Sequence, residues 1–507
     1  MTRAGETLNS LFLSACRDRQ GDEMFADDTL RLTGGEVVAQ AAAFAAGLRD
    51  QGLDKGDVVT ILSMSSVRHA IAFFGCQLAG VIPCCLHVND LPSRLKDNIR
   101  FIGAKAVLSD EANVNKAEAL ETGLPILTVG ASANSFYSRS VSAFEGAVLA
   151  EIATPGDTAL YLMSSGTTGD PKCIVHTQGT LAATAEQCKA LYDCDAPGDS
   201  TIVVMAPSFA AWIHTVLPFT CIGGRIYFSS QFSPDGFLQL LQDEKITCAP
   251  LVPTVWRMVL AAGPDRYDLS HTNGVFYSGE PGTPDLIQAL ADHIAPNVLT
   301  AYLASEGGNA AGIAAGPDIL SAPETAASTG RPVPGAEVRV IDPEGGVDDV
   351  LPAGALGEIA LRGASLAAGY LRNPDLTAQK FADGWWRTGD LGYLDEAGRL
   401  FVKGRVDNQI NTGGIKVRAE EIEMALLSHP AIKLAGVVGE PDAQWGERIE
   451  AHLVSDDPAL SSVVVLTYLE ERELLPRHLL PKAIHFHDRL PTGPTGKLYR
   501  RGLKSTG

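Results

Sequence analysis

The chain has no Cys-x-x-Cys pair and no cysteine beyond Cys248. Its nine cysteines are odd in number and scattered, and adjacent Cys84 and Cys85 sit inside an apolar run. That excludes a zinc or disulfide framework and leaves reduced, buried thiols in a cytoplasmic protein. No apolar stretch reaches membrane-spanning length, and Met1 to Asn9 lacks the basic-then-apolar pattern of a signal peptide, so no membrane partner is expected. Positive charge is scarce: 40 Lys and Arg face 60 Asp and Glu, a net charge of -20, which excludes nucleic acid as a broad-surface partner. Internal repeats and low-complexity tracts are missing as well. At 507 residues the chain exceeds what one core organises, so two or more domains are expected.

What is present is an alternation of short β-rich runs and helical stretches. Thr33-Gly-Gly-Glu36 has capping-box spacing and opens a helical pattern that Gly52 is placed to stop. Val58–Leu62, Val81–Leu86 and Ala104–Leu108 read as strands, followed further on by Thr201–Met205, Arg225–Phe228, Ile246–Val252, Val275–Tyr277 and Val298–Tyr302. This pattern predicts an α/β fold: a large N-terminal domain of layered, mostly parallel sheets with flanking helices. From about residue 330 to 406 the texture turns to shorter strands and turns, a β-rich subdomain. A fresh helical pattern from Ala419 marks a small C-terminal α/β domain, giving boundaries of 1–406 and 407–507.

Chemistry concentrates in loops that follow strands. The run Thr158–Met163 delivers the chain into Ser164-Ser-Gly-Thr-Thr-Gly-Asp-Pro-Lys172. Gly166 and Gly169 let backbone N–H groups approach an anion, Ser164, Ser165, Thr167 and Thr168 add hydroxyl donors, and Lys172 adds charge. Together they suit a polyphosphate, although the spacing is not that of a P-loop. Pro207–His214, Ser278-Gly-Glu-Pro281 and Leu303-Ala-Ser-Glu306 also follow predicted strands, and ligands gather beyond strand carboxyl ends in open α/β sheets, so one shared cleft is expected. Near the C-terminus, Pro491-Thr-Gly-Pro-Thr-Gly-Lys497 is a shaped loop that carries a lysine.

Taken in order, these stretches resemble the adenylate-forming superfamily of acyl-CoA synthetases, nonribosomal-peptide adenylation domains and luciferases. Residues 164–172 resemble its phosphate loop, Tyr302–Glu306 its Tyr-Gly-Ser/Thr-Thr-Glu element, Arg387-Thr-Gly-Asp390 and Gly404-Arg-Val-Asp407 its ribose and hinge elements, and Gly496-Lys497 its catalytic-lysine motif. The resemblance implies ATP, Mg²⁺ and CoA. Thr167 and Ser305 would bind phosphate oxygens beside Tyr302. Glu306 would hold the metal. Asp390 and Arg405 would serve the ribose, and Gly279, Glu280 and Pro281 would lie against adenine. Lys497 would neutralise charge as a carboxylate attacks the α-phosphate. Asp407 would be the pivot of a mobile C-terminal domain, Gly413 and Gly414 would line a thiol tunnel, and Trp445 is either a contact to the CoA nucleotide or a half-buried core residue.

Departures from the family pattern bear on the acid. Leu303 stands where the family has glycine and should shorten the pocket, and Ala304 replaces a hydroxyl residue, so a small carboxylic acid, aryl or short alkyl, is expected. Ser278 also borders this pocket. Ala210 falls where relatives carry an aromatic gate, and Trp212 or His214 is left to supply the wall, His214 also reading as a plain core histidine. An AMP-forming acid–CoA ligase is the first reading. A freestanding enzyme loading the phosphopantetheine of a carrier protein is the second, and a non-catalytic nucleotide-binding protein, against which Glu306 and Lys497 both speak, is the third.

Overall fold

The computed structural model describes residues 5–148, 153–164, 172–192, 194, 196–280, 282–311, 325–412, 415–442, 444–492 and 498–504. The chain divides into two compact units. The larger comprises Met1–Arg339, Ala360–Arg387 and Leu394–Phe401, and the smaller comprises Val340–Ile359, Thr388–Tyr393 and Val402–Gly507.

The larger unit is built on two parallel sheets. Its seven-stranded sheet runs in the order Asn297–Thr300, Gly274–Tyr277, Cys248–Leu251, Ser200–Val203, Arg225–Phe228, Glu23–Ala26, Arg31–Thr33, with only the last strand antiparallel. A four-stranded sheet, Ile82–Cys85, Val58–Leu62, Ala106–Asp110, Ile126–Val129, is parallel throughout. Strands covered on both faces must be apolar along their whole length, and Val58–Leu62 and Ile82–Cys85 are buried at every position. Local signals hold well here. Thr33 caps the helix Gly34–Asp50 with Glu36 reaching back to its N–H, and Gly52 takes φ +76° beyond the helix end.

Two local features depart from the sequence reading. The expected strand Val298–Tyr302 is divided: Asn297–Thr300 stays in the parallel sheet, while Tyr302–Ala304 pairs antiparallel with Gly308–Ala311. The strand before the expected phosphate loop, Thr158–Ser164, lies in no parallel sheet. It forms an antiparallel three-stranded sheet with Lys172–Thr177 and Gly369–Tyr370.

In the smaller unit, Gly446–Ser455 pairs antiparallel with Ile432–Asp442 and Gln409–Thr412 and parallel with Ala483–Phe486. The helices Ala419–Leu427 and Ser462–Glu471 bury Ile422, Leu426, Val465 and Leu469 in one core with strand residues Val437, Ile449 and Leu453. None of the nine cysteines is in a disulfide, and eight are buried. Among the described residues no helix is long and apolar enough to cross a membrane.

Candidate active site

The strands on either side of the expected phosphate loop pair as a hairpin. Ser164 pairs with Lys172 across residues 165–171, so Ser165, Gly166, Thr167, Thr168 and Gly169 lie outside the described residues while both ends of their loop are placed. Side chains alternate along a strand, which puts Lys172, Ile174 and His176 on one face. From that face Lys172 Nζ donates to Glu306 Oε1 at 2.5 Å, and His176 Nε2 donates to the Ser305 carbonyl at 2.8 Å. A carbonyl only accepts, so the His176 proton sits on Nε2. Burial lowers the His176 pKa, against the opposing pull of the Ser305 carbonyl and the Glu306 charge.

Tyr370 completes the group. Its hydroxyl donates to Glu306 Oε1 at 3.1 Å, and its ring centroid lies 4.3 Å from Lys172 Nζ, within cation–π range. The ring is brought there by pairing of Tyr370 with Ile174, and the preceding Gly369, at φ +136°, has no room for a Cβ beside Thr377. Glu306 is only 8% exposed, so its charge is held by one ammonium and one phenol. Neither Tyr370 nor His176 stands out in the sequence. Tyr370 is brought in by long-range pairing, whereas the Lys-x-Ile-x-His alternation on a β-rich run was a readable signal for His176.

The candidate acid-pocket residues separate. Tyr302, Leu303, Ala304 and Ser305 are half-buried in a tight hairpin, with Leu303 packed on the main core. Ala210 packs on the cluster of Leu162, Ile174, Ala367 and Tyr370, which brings it beside the Lys172–Glu306 group. Trp212 corrects the sequence reading: it is fully buried, its Nε1 donates to Ser65 Oγ at 3.1 Å, and His69 and Phe73 pack against its ring, a core position instead of a pocket wall. His214 is buried too, and burial, with the His176 charge second, holds its pKa near 3. Ser278 is half-buried, and Gly279 takes φ +85°. The Glu280 carboxylate accepts from Thr254 N–H at 3.1 Å and Thr254 Oγ1 at 2.7 Å, so it caps the helix Pro253–Ala261 from another loop. Pro281 lies outside the described residues.

In the smaller unit Arg405 gathers two of the expected residues. Its Nη1 donates to Asp390 Oδ1 at 2.8 Å, and its Nη2 is 3.5 Å from Asp407 Oδ2. Asp390 lies on the strand Trp385–Leu394 and is set by local bonds: its N–H donates to Thr388 Oγ1, which donates to the Ile359 carbonyl, and the Gly389 N–H donates to Glu358. The result is an oriented carboxylate, partly exposed, with a guanidinium on one oxygen. Trp445 sits at the tip between strands Ile432–Asp442 and Gly446–Ser455 and is 45% exposed, so it is not a half-buried core residue. Gly413, Gly414 and Lys497 lie outside the described residues. The ends of the lysine loop are placed: Thr492 bridges Leu498, Tyr499 N–H donates to the Pro491 carbonyl, and Arg500 donates to Glu423 at 2.6 and 3.3 Å. Burial raises the Glu423 pKa although Arg500 pulls against it.

Chemically, the larger unit offers a cation-bearing hairpin beside a buried carboxylate, and the smaller a carboxylate suited to a vicinal diol. A hard carboxylate oxygen that already carries a cation is the donor type Mg²⁺ takes, so Glu306 fits that ion.

Comparisons with known proteins agree with this chemistry. Residues 12–371 match the model of the AMP-binding enzyme family, and residues 421–497 match the AMP-binding enzyme C-terminal domain. The chain is similar to 4-coumarate–CoA ligase 5 of Oryza sativa subsp. japonica, 29% identical over 491 residues that cover 94% of this chain and 89% of that protein. It is also similar to a long-chain-fatty-acid–CoA ligase of Mycobacterium tuberculosis, 28% identical over 486 residues covering 94% and 93%. In fold it matches o-succinylbenzoate CoA synthetase of Bacillus subtilis, solved with its acyl-adenylate intermediate, at a TM-score of 0.87 and 22% identity over 100% and 99% of the two chains.

Proposed function

The chain belongs to the AMP-binding enzyme family and is an ATP-dependent acid–CoA ligase, and from that premise we propose that its acid is small, aryl or short alkyl. In the first step the acid's carboxylate attacks the α-phosphorus of ATP and pyrophosphate leaves. In the second, the CoA thiol attacks the acyl-adenylate carbonyl and AMP leaves. Lys172 and the hydroxyls of residues 164–168 bind the phosphates. In the ligand-free chain Lys172 is the counter-ion of Glu306, and with ATP present its ammonium turns to phosphate oxygens. Glu306 would then hold Mg²⁺, which supplies positive charge against the departing pyrophosphate. Asp390, oriented by Arg405, accepts from the ribose hydroxyls. Lys497 supplies charge to the reacting phosphate, and residues 407–507 act as the mobile part, with Asp407 as pivot and Gly413, Gly414 and Trp445 serving the thiol substrate.

The observation that carries this reading is the Lys172–Glu306 pair beneath the glycine-rich hairpin, a buried carboxylate that has a cation partner ready to exchange. The preference for a small acid rests on Leu303, half-buried at the position where the family pattern has glycine. The nine cysteines, none of them in a disulfide, support placement in the cytoplasm.

A panel of aryl, short-chain and long-chain acids, assayed by pyrophosphate release with CoA and by detection of the thioester, tests this directly. Short or aryl acids are expected to give the highest kcat/KM. Leu303→Gly should shift the optimum toward bulkier acids by roughly 10- to 100-fold in relative kcat/KM, the worth of one or two methylenes of fit. A long-chain optimum in the native enzyme would sink the small-acid reading. Faster transfer to a holo-carrier protein than to CoA would replace CoA as the acceptor.

A further inference from the structure

The smaller unit holds a second cluster of ligand-type side chains, on the opposite side of chemistry from the ATP site: imidazoles in place of hydroxyls and glycines. Strands Gly446–Ser455 and Ala483–Phe486 run parallel, and the register sets His452 opposite His485. Side chains repeat every second residue along a strand, so Glu450 falls on the same face as His452, and His487 on the same face as His485. The structure bears this out. His485 Nε2 lies 3.0 Å from Glu450 Oε2, and His452 Nδ1 lies 2.9 Å from His487 Nε2. One ligand atom from each of Glu450, His452 and His485 lies within 4.8 Å of the others.

We propose that Glu450 Oε2, His452 Nε2 and His485 Nε2 form a binding site for one divalent transition-metal ion of the zinc class, with His487 orienting the His452 ring through Nδ1. Donors around a tetrahedral ion at about 2.0–2.2 Å stand roughly 3.3–3.6 Å apart. The His485–Glu450 pair, at 3.0 Å, is a few tenths of an ångström inside that spacing, so an ion enters by outward rotation of His485. Such rotation is cheap for His485, which is exposed at the strand end, while Glu450 and His452, at 4% and 6% exposure, are fixed. Two fixed donors and one adjustable one make a site that is formed on one side and closes on the other. Imidazole and carboxylate together favour zinc, copper or nickel over magnesium or calcium, which prefer oxygen alone.

A second observation points the same way. His452 Nε2 is buried and has no hydrogen-bond partner among the described residues. Buried ring nitrogens are nearly always paired, and one whose other nitrogen faces His487 has a lone pair to offer. Arg448 donates to Glu450 Oε1 at 2.6 Å, which leaves Oε2 as the ligand oxygen and neutralises part of the carboxylate charge. That favours a site of moderate affinity. Its consequence is mechanical: an ion would tie strand Ala483–Phe486 to Gly446–Ser455 immediately before the segment that leads, ten residues past His487, to Lys497.

The test uses the full-length enzyme, purified without a polyhistidine tag and stripped with chelator. Titration with Co²⁺ should give visible d–d absorption of a nitrogen- and oxygen-ligated ion at one per chain, and Zn²⁺ should displace it. The double variant His485→Ala/His487→Ala, both at exposed positions, should fold normally and bind at least about tenfold more weakly. His271→Ala, an exposed histidine of the larger unit, should leave stoichiometry and affinity unchanged. Absence of Co²⁺ or Zn²⁺ binding at 100-fold molar excess, or binding that the double variant leaves intact, would overturn the site.

Discussion

Two loops in this chain are expected to handle phosphate, and they are built on different foundations. Residues 165–171 spring from strands of seven and six residues, paired from Thr158–Thr177 to Ser164–Lys172 and braced from the side by Gly369–Tyr370. Residues 493–497 lie between ends that, among the described residues, are joined by one isolated bridge, Thr492 to Leu498, and the chain beyond them is secured by Arg500 on Glu423. The first loop has many redundant anchors. Among the described residues the ends of the second have few. The difference suits the roles proposed for them: a cradle that keeps ATP through both steps, and a lysine needed in only one.

The largest expected effect breaks the second loop outright. Lys497→Ala should lower the adenylation rate by roughly 10²–10³-fold, while thioester formation from supplied acyl-adenylate is spared. Stopped-flow measurement of each half-reaction separates them, and equal loss in both would remove the lysine's assigned role.

Next is the anchor. Arg500→Met leaves the Glu423 carboxyl buried without its cation and should cost about 1–3 kcal/mol of stability in the smaller unit. It should slow adenylation about tenfold through misplacement of the loop, with the thioester step unchanged and partial rescue by Arg500→Lys. Arg500 is thus a positioning residue. An unaltered ratio of the two half-reaction rates would show that the anchor does not matter.

The core of the larger unit should weaken in acid. His69 and His214 are fully buried and held near pKa 3 by desolvation, against an ordinary value of 6.5. The unfolded chain therefore binds more protons between these values, and stability falls as pH drops below 6.5 toward 3. Between pH 7 and 5 each should cost on the order of 2 kcal/mol. Denaturant unfolding at both pH values checks this, and His214→Gln should flatten the dependence.

The smallest effect sharpens the contrast. Tyr370→Phe removes one of two donors to Glu306 but keeps the ring under Lys172, so activity should drop only roughly threefold. A loss as large as that of Arg500→Met would mean that the first loop is no better anchored than the second.

The same contrast explains what could be read from the sequence. The capping box at Thr33, the strand Arg225–Phe228 and the helix from Ala419 are set by neighbouring residues, and each appears where local pattern places it. Features that depend on distant pairing were hidden. The hairpin that closes Ser164 on Lys172 resembles, residue by residue, a strand feeding a parallel sheet, and Tyr370 reaches Glu306 only because its strand pairs with Ile174. Trp212 was ambiguous for another reason. An aromatic in an apolar run suits a pocket wall and a core equally, and only the hydrogen bond to Ser65 and the packing of Phe73 decide for the core. Glu280 likewise shows its capping of Thr254 only in three dimensions.

The most direct test of adenylate chemistry follows the carboxylate oxygen. With an accepted acid labelled with ¹⁸O in both carboxylate positions, and with ATP and CoA present, mass spectrometry of the released nucleotide should show AMP carrying one ¹⁸O per turnover. Label in inorganic phosphate, with ADP as the nucleotide product, would contradict the account.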